Sequence, residues 1–424
     1  MGKTGTDAGS PRPPRPSRPP SWRWWISGLL LLITTIIYMD RVALGSASVR
    51  VTRDLGLSDA QYGNLELAFG WAFAVGSLGF GILADRLNVY FLYPGVMLAW
   101  SLVCIATGWA EGYLELLLCR TLLGCFEAAQ WPCALKTTFA LFDEKDRAMG
   151  NSVTQSGSAI GAVIMPQAMK LIMTERTGSW RAAFIVVGTV GLLWVGAWLL
   201  CLRSRDLGPE GDAQPKQALP GLWPIVAGRR FWAAAIVVVG TQTVWHVYRV
   251  WLIKFLQAGR GYGERGALDF MTFYFIAANV GCFAAGLATL WLVRRRGTPA
   301  HRAQRNVYAG ACALTSLSLL IPWLEKGWLL LAVLLLVGAG GLGLMPSYLS
   351  YVQELSAAHV GRLTGLLSAW VWAVTSPLHT FVGMLADRTG SYDLGLVVAG
   401  LAPWLGAAAM GLLWPLKAEP AART

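Results

Sequence analysis

Two pairs of opposite charges interrupt apolar sequence. Asp40 and Arg41 lie within LLITTIIYMDRVALGSASV, residues 31–49, and Arg120 and Glu127 within RTLLGCFEAAQWP. On a helix, positions seven apart point in nearly the same direction, about 10.5 Å from each other. An ionised group at the centre of a bilayer costs ~2.5–3.5 kcal/mol even on the lenient insertion scale, so such groups need partners and a task. Two acids and two bases are neutral when fully paired and must rearrange when a proton or an anion enters, which is how a switch behaves. The competing reading is a structural ion-pair network that locks a helix bundle.

The surrounding elements follow from composition. Hydrophobic residues make up 55% of the 424 and charged residues 14%, with 21 Trp and 48 Gly. Twelve apolar runs, from 24–46 to 394–415, each reach the ~20 residues that a helix needs to cross ~30 Å of hydrocarbon. The expectation is an all-α membrane protein with about twelve transmembrane helices. Arg12, Arg15, Arg18 and Arg23 precede the first run, Lys145 and Arg147 follow the fourth, Arg229 and Arg230 precede the seventh, and Arg294, Arg295, Arg296, Arg302 and Arg305 follow the eighth. With alternating spans all fall on one side, which the positive-inside rule makes the cytoplasm, together with both termini. The net charge of +12 is thus mostly a topology signal, and no aromatic-interleaved basic patch points to nucleic acid. The seven cysteines are scattered through expected helices, with neither a disulfide framework nor a zinc spacing.

The chain repeats itself. ERTGSWRAAFIVVG from Glu175 and DRTGSYDLGLVVAG from Asp387 share a pattern 212 residues apart, half the length. The organisation expected is a disordered basic tail at 1–22, a six-helix bundle at 23–202, a polar linker at 203–228, a second bundle at 229–416 and a tail at 417–424. Two such bundles imply a substrate site between them and rocking of one against the other.

Further candidates line that interface. In VWHVYRVWLIKFL, His246 and Arg249 share a helix face beside Trp245 and Tyr248. Arg249 sits at the repeat's counterpart of Arg41, and two arginines across a cavity would suit a substrate with two anionic groups. Alternatively Arg249 snorkels outward or neutralises Glu264. His246 either hydrogen-bonds substrate or packs among aromatics. Trp372, Thr375, Ser376 and His379 fall on one side of the eleventh run, as a cavity wall or a helix contact. Gln155 and Ser158 on the fifth run and Asn279 on the eighth complete the polar candidates.

YMDRVAL, LGLSDAQYG, GILADR, RTLLGCFEAAQWPCALK, DRAMGNSVTQSGSAIGAVIMP, GSWRAAFIVVG and ADRTGSYD together resemble the anion:cation symporter family of the major facilitator superfamily, most of all its hexuronate- and galactonate-type sugar-acid transporters. The resemblance implies that Asp40 and Glu127 take protons, that Arg41 contacts the substrate carboxylate, and that Arg120 partners the acids. Gly81, Asp85 and Arg86 of GILADR match the superfamily's gating motif. Its later Gly and basic residues are replaced by Asn88, Val89 and Tyr90, implying a weaker latch. Where these transporters carry Tyr and Gln for substrate hydroxyls, alignment gives Phe73 and Ser77. Ser158 replaces a Gln of galactonate-type members, and the paired asparagines of the eleventh span are not visible. These departures touch hydroxyl recognition more than anion transport.

No nucleotide loop, no metal-spaced cluster among four His and no nucleophile with a base argues for an enzyme or a cofactor. The expected function is proton-coupled transport of an organic anion, a sugar acid or related carboxylate, by alternating access in the bacterial inner membrane, as a monomer. Sodium is the alternative coupling ion. Efflux of amphipathic compounds and ligand sensing without transport are the other function classes. The arginines disfavour cationic cargo.

Overall fold

Inside hydrocarbon a helix satisfies its own backbone, and the apolar runs all take that form. The computed structural model describes residues 20–207, 223–355 and 360–414. Most of the expected linker and both expected tails lie outside the described residues. In chain order the helices are α1 (Pro20–Ser46), α2 (Ser48–Asp54), α3 (Asp59–Arg86), α4 (Val89–Thr107), α5 (Tyr113–Glu127), α6 (Gln130–Leu141), α7 (Glu144–Ile172), α8 (Arg181–Cys201), α9 (Trp223–Val226), α10 (Arg229–Lys254), α11 (Glu264–Arg296), α12 (Ala300–Thr315), α13 (Trp328–Gly343), α14 (Met345–Leu355), α15 (Val360–Thr389), α16 (Asp393–Leu401) and α17 (Pro403–Leu413). The first helix begins at Pro20, slightly inside the expected tail.

Several helices continue one another. α5 runs into α6, α13 into α14 and α16 into α17. Pro132, Pro346 and Pro403 follow the breaks within the first turn of the second member, where a missing N–H is harmless. A π-helical turn, Phe255–Gly259, extends α10, and a 3-10 helix, Ser316–Trp323, extends α12. Among the described residues this gives twelve helical rods in two pseudo-symmetric six-helix bundles, α1–α8 and α10–α17, with α2 and α9 in connections.

Among the described residues, nine helical stretches are long and apolar enough to cross a membrane. The fourth, fifth and eleventh expected spans do not reach that measure. The fourth is divided between α5 and α6. α7 carries the polar run NSVTQSGS, and α15 carries Ser, Thr and His among its apolar residues. These rods meet protein on part of their surface, which lowers the hydropathy that lipid alone would require.

Local signals set the ends. Ser58 and Gln61 form a reciprocal capping box that starts α3. Asn88 caps α4 through the Tyr90 N–H. Gly297 ends α11 in a left-handed cap after Arg294, Arg295 and Arg296, which oppose the carbonyl end of the helix dipole. The two copies of the repeat make equivalent turns, with Gly178 at φ 75° and Gly390 at φ 67°. In the first copy Trp180 Nε1 donates to Asp54, and in the second the Tyr392 hydroxyl donates to Asp59. Both turns therefore dock on the connection around α2.

The bundles meet through α3 against α15 and α7 against α11, with α1 crossing α10. α3 and α15 approach so closely that a Cβ on Gly63 would stand 2.3 Å from the His379 carbonyl oxygen. At the end of the molecule that holds α2, Asp387 accepts from the Asp59 and Ala60 N–H groups at 2.9 and 2.8 Å, capping α3 from the other half. Lys254 pairs with Asp59 at the same place. Arg50 with Glu264, at 2.9 Å, and Lys170 with Asp269, at 2.7 Å, also join the halves there.

Candidate functional site

α1, α3, α5 and α10 converge, and each brings buried charge. Arg41 Nε donates to Glu127 Oε2 at 2.5 Å, and Trp100 Nε1 of α4 donates to the other oxygen at 3.3 Å. Arg120 Nη2 donates to Glu66 Oε1 at 3.1 Å, and its Nη1 stands 3.9 Å from Asp40 Oδ2. Arg249 Nη2 donates to Glu66 Oε2 at 2.9 Å, and its Nη1 donates to the Arg41 carbonyl at 2.7 Å. All six charged side chains are buried. Three acids face three arginines, so the set is neutral when every group is ionised.

The pairing is uneven. Glu127 and Glu66 are each fully engaged. Asp40 accepts only a weak bond from the Cys104 thiol at 3.4 Å, and its Oδ2 has no hydrogen-bond partner. Arg120 likewise leaves Nε and Nη1 without acceptors. A buried carboxylate oxygen this poorly satisfied is costly as an anion, and the neighbouring guanidinium offsets that cost only at longer range.

Aromatic rings enclose Arg41. Its guanidinium carbon lies 4.8 Å from the Phe73 ring centroid, 5.1 Å from Tyr38, 5.7 Å from Trp372 and 5.8 Å from Phe69. Arg120 lies 4.4 Å from the Phe69 ring. Phe73 and Trp372, from opposite halves, pack with ring centroids 4.8 Å apart and planes tilted by 38°. His246 packs on Trp372 at 4.2 Å, and its Nδ1 has no partner. His379 Nδ1 accepts from Trp251 Nε1 at 3.3 Å. Ser376 donates to the Trp372 carbonyl at 2.5 Å. Thus Asp40, Arg41, Phe73, Arg120, Glu127, His246, Arg249 and Trp372 of the expected set come together, with Ser376 and His379 on the adjoining α3–α15 contact. Cavities of about 330 and 300 Å³ lie elsewhere, against Arg229 and Arg230 and against Trp323 and Leu394, and no residue of the charge cluster lines either.

Other expected residues make different contacts. Tyr248, adjacent to Arg249 in sequence, points about 100° away round the helix; its hydroxyl donates to the Leu396 carbonyl and its ring stacks on Tyr274, within the second half. Asn279 donates back to the Phe275 carbonyl of its own helix, and Ser77 to the Phe73 carbonyl. Gln155 is exposed, and Ser158 donates to the Gln155 carbonyl. Arg249 faces Arg41 as the repeat implies, but Glu66 occupies it, so the pair is not an open site for two anionic groups. Glu264, the alternative partner of Arg249, belongs to Arg50 instead. Gly81 is half-buried, and Asp85 and Arg86 are exposed at the end of α3. At the α2 end Asp387 caps a helix of the opposite half.

Glu66 is the charged member of this cluster that sequence reasoning missed. It is an acid in the apolar run NLELAFG, and the cost of burying a charge was signal enough. The Asp387 cap had its own signal. The tetrapeptide LADR at Leu83–Arg86 recurs at Leu385–Arg388, at the end of the other long interface helix.

Comparison with known proteins agrees with this architecture. The model of the Major Facilitator Superfamily matches residues 30–378. The chain belongs to that superfamily and is an integral membrane protein. It is 24% identical over 393 residues to the hexuronate transporter of Escherichia coli, covering 89% of this chain and 90% of that one. It is 26% identical over 412 residues to a probable sulfoacetate transporter of Cupriavidus necator, covering 93% and 94%. It is 25% identical over 406 residues to a probable L-galactonate transporter of Escherichia coli, covering 90% and 87%. Among solved structures, a bacterial homolog of the human lysosomal transporter Spinster, inward-facing and occupied, superposes with a TM-score of 0.78 at 18% identity, covering 93% of this chain and 97% of that chain.

Proposed function

We propose that the protein is a proton-coupled secondary transporter of the anion:cation symporter type. It carries a small organic anion, a sugar acid or related carboxylate, across the bacterial inner membrane by alternating access, with both termini cytoplasmic and one chain as the working unit. The observation that carries this reading is the neutral cluster of Asp40, Glu66, Glu127, Arg41, Arg120 and Arg249 buried where the halves meet. An anion entering it makes the set negative by one charge, and one proton restores neutrality. Hexuronate, L-galactonate and sulfoacetate, named for the relatives, all carry an anionic group, in keeping with an arginine anchor.

In this reading the substrate carboxylate takes Arg41 from Glu127. The pair is charge-assisted and short, so Glu127 loses its main stabilising partner and becomes a proton acceptor. Asp40, beside Arg120, is the second proton site. Phe73 and Trp372 cover the apolar face of the substrate, and His246 offers an unused ring nitrogen to a hydroxyl or carboxylate.

Uptake into proteoliposomes tests the proposal. With an imposed gradient acidic outside the entry face, radiolabelled hexuronates, aldonates or aldarates should accumulate against their gradient, and a protonophore should abolish the accumulation. Failure of every carboxylate to accumulate, with transport of lipophilic cations instead, would overturn it.

A further inference from the structure

Glu66 ties an arginine of each half to one carboxylate. Its Oε1 holds Arg120 Nη2 of the first bundle at 3.1 Å and its Oε2 holds Arg249 Nη2 of the second at 2.9 Å, all three side chains at most 3% exposed. Glu66 and Arg120 sit on α3 and α5, which pack within one bundle. Arg249 reaches Glu66 from α10, and its other amino group clasps the Arg41 backbone carbonyl. When the α2 end opens, α3 must leave α15 and α10 must leave α1. Glu66 then keeps Arg120 and loses Arg249.

We infer that Glu66 is an interlock: it occupies, in the state closed at the α2 end, the place on Arg249 that the substrate carboxylate takes when that end opens. The inference rests on the transport reading for its ligand but not for its mechanics. A buried guanidinium stripped of its carboxylate is strongly unfavourable, so the empty protein resists opening. A substrate anion that bonds Arg249 removes that penalty, so opening is favoured with anion present. The closure carries other polar contacts, among them the Asp387 cap and the Lys254–Asp59 pair, but these lie at the rim. Glu66 is the member of the set that a substrate at Arg41 can reach, because Arg249 bonds the backbone of Arg41 itself. Its role is positioning: it acts on transport through Arg249.

The test measures distance without substrate. Spin labels are placed at Glu175→Cys and Glu325→Cys, exposed positions at the α2 end of the first and second bundles. Cys119, Cys125, Cys201 and Cys282 are replaced by Ser in the same full-length protein, leaving the buried cysteines. The parent should give one short distance population in lipid nanodiscs. Glu66→Gln should add a second, longer population. Glu66→Asp, which keeps the charge and volume close enough to fold but withdraws the carboxylate by one methylene, should add a smaller one. A residue that only stabilises the fold would lower Tm in both variants and leave the distances unchanged; that result in folded, monodisperse protein overturns the inference. If Glu66→Gln does not fold, the Glu66→Asp distribution decides alone. Because no substrate is present, a longer population in these variants alongside absent uptake by the parent would sink the transport reading and leave the interlock standing.

Discussion

At the scale of single residues, the six buried charges are not equivalent, and their differences predict how each substitution behaves. Removing one partner of a buried pair costs about 3–5 kcal/mol when the survivor must stay charged. Arg41→Ala strands only Glu127, which still accepts from Trp100 and can take a proton. The variant should stay folded and lose anion binding, so no carboxylate should raise its Tm although carboxylates raise that of the parent. Ordinary stabilisation by the same carboxylates would remove Arg41 as the anchor. Arg120→Ala strands Asp40 and takes from Glu66 one of its two arginines. It should lower Tm more than Arg41→Ala does, and equal or smaller loss would mean that Asp40 is already neutral in the resting protein. The aromatic enclosure makes a separate prediction. Trp372→Ala removes a ring that touches Phe73, Phe69 and His246, and truncating a large core aromatic costs about 3–5 kcal/mol. Trp372→Phe preserves most of that packing and should weaken carboxylate binding with little change in Tm. Both quantities unchanged would make Trp372 a packing residue alone.

At the scale of elements, the end-to-end helix pairs and the α3–α15 contact decide what the sequence could reveal. The motif residues Asp40, Arg41, Arg120, Glu127 and Arg249 were legible because an uncompensated charge in an apolar run is conspicuous, and their helices do bring them together. Facing direction was harder: Tyr248 is one residue from Arg249 yet serves a different contact. Glu66 carried the same signal, but its partners lie 54 and 183 positions away, with no basic residue near it in the chain to suggest a pair. The Asp387 cap spans 328 positions, and although the repeated LADR marks the residue, its partners follow from how two bundles dock, which local pattern does not encode. That cap is testable on its own. Asp387→Asn retains size and an acceptor but removes the charge that favours a helix N-terminus, an effect of about 0.3–2 kcal/mol. A Tm lower by a few degrees is expected, together with greater labelling of a cysteine placed at Asn64, whose side chain otherwise accepts from Thr380 across the interface. Labelling equal to that of the Asn64→Cys parent would assign the cap to α3 stability and not to closure.

At the scale of the whole molecule, the halves are held together by charge pairs in the buried cluster and at the α2 rim, and coupling follows from the order in which those pairs exchange. An empty site is neutral with all six groups ionised. It closes around itself because each arginine has an acid. A bound monoanion leaves one acid without an arginine, and the cheapest way to bury that surplus is one proton. Reciprocity then requires that protonation raise anion affinity by the same factor that anion binding raises proton affinity. Glu127→Gln separates the two halves of this cycle, since glutamine resembles the protonated acid and no longer competes as a charge for Arg41. The variant should bind substrate at least as tightly as the parent and with weaker dependence on pH. Substrate-for-substrate exchange in proteoliposomes should persist, because both exchange steps begin and end in the neutral, anion-bound form. Accumulation driven by a proton gradient should be lost. If accumulation survives at the parental rate, Glu127 is not the coupling acid, and the same pair of assays on Asp40→Asn would show whether the poorly satisfied carboxylate beside Arg120 carries the proton instead.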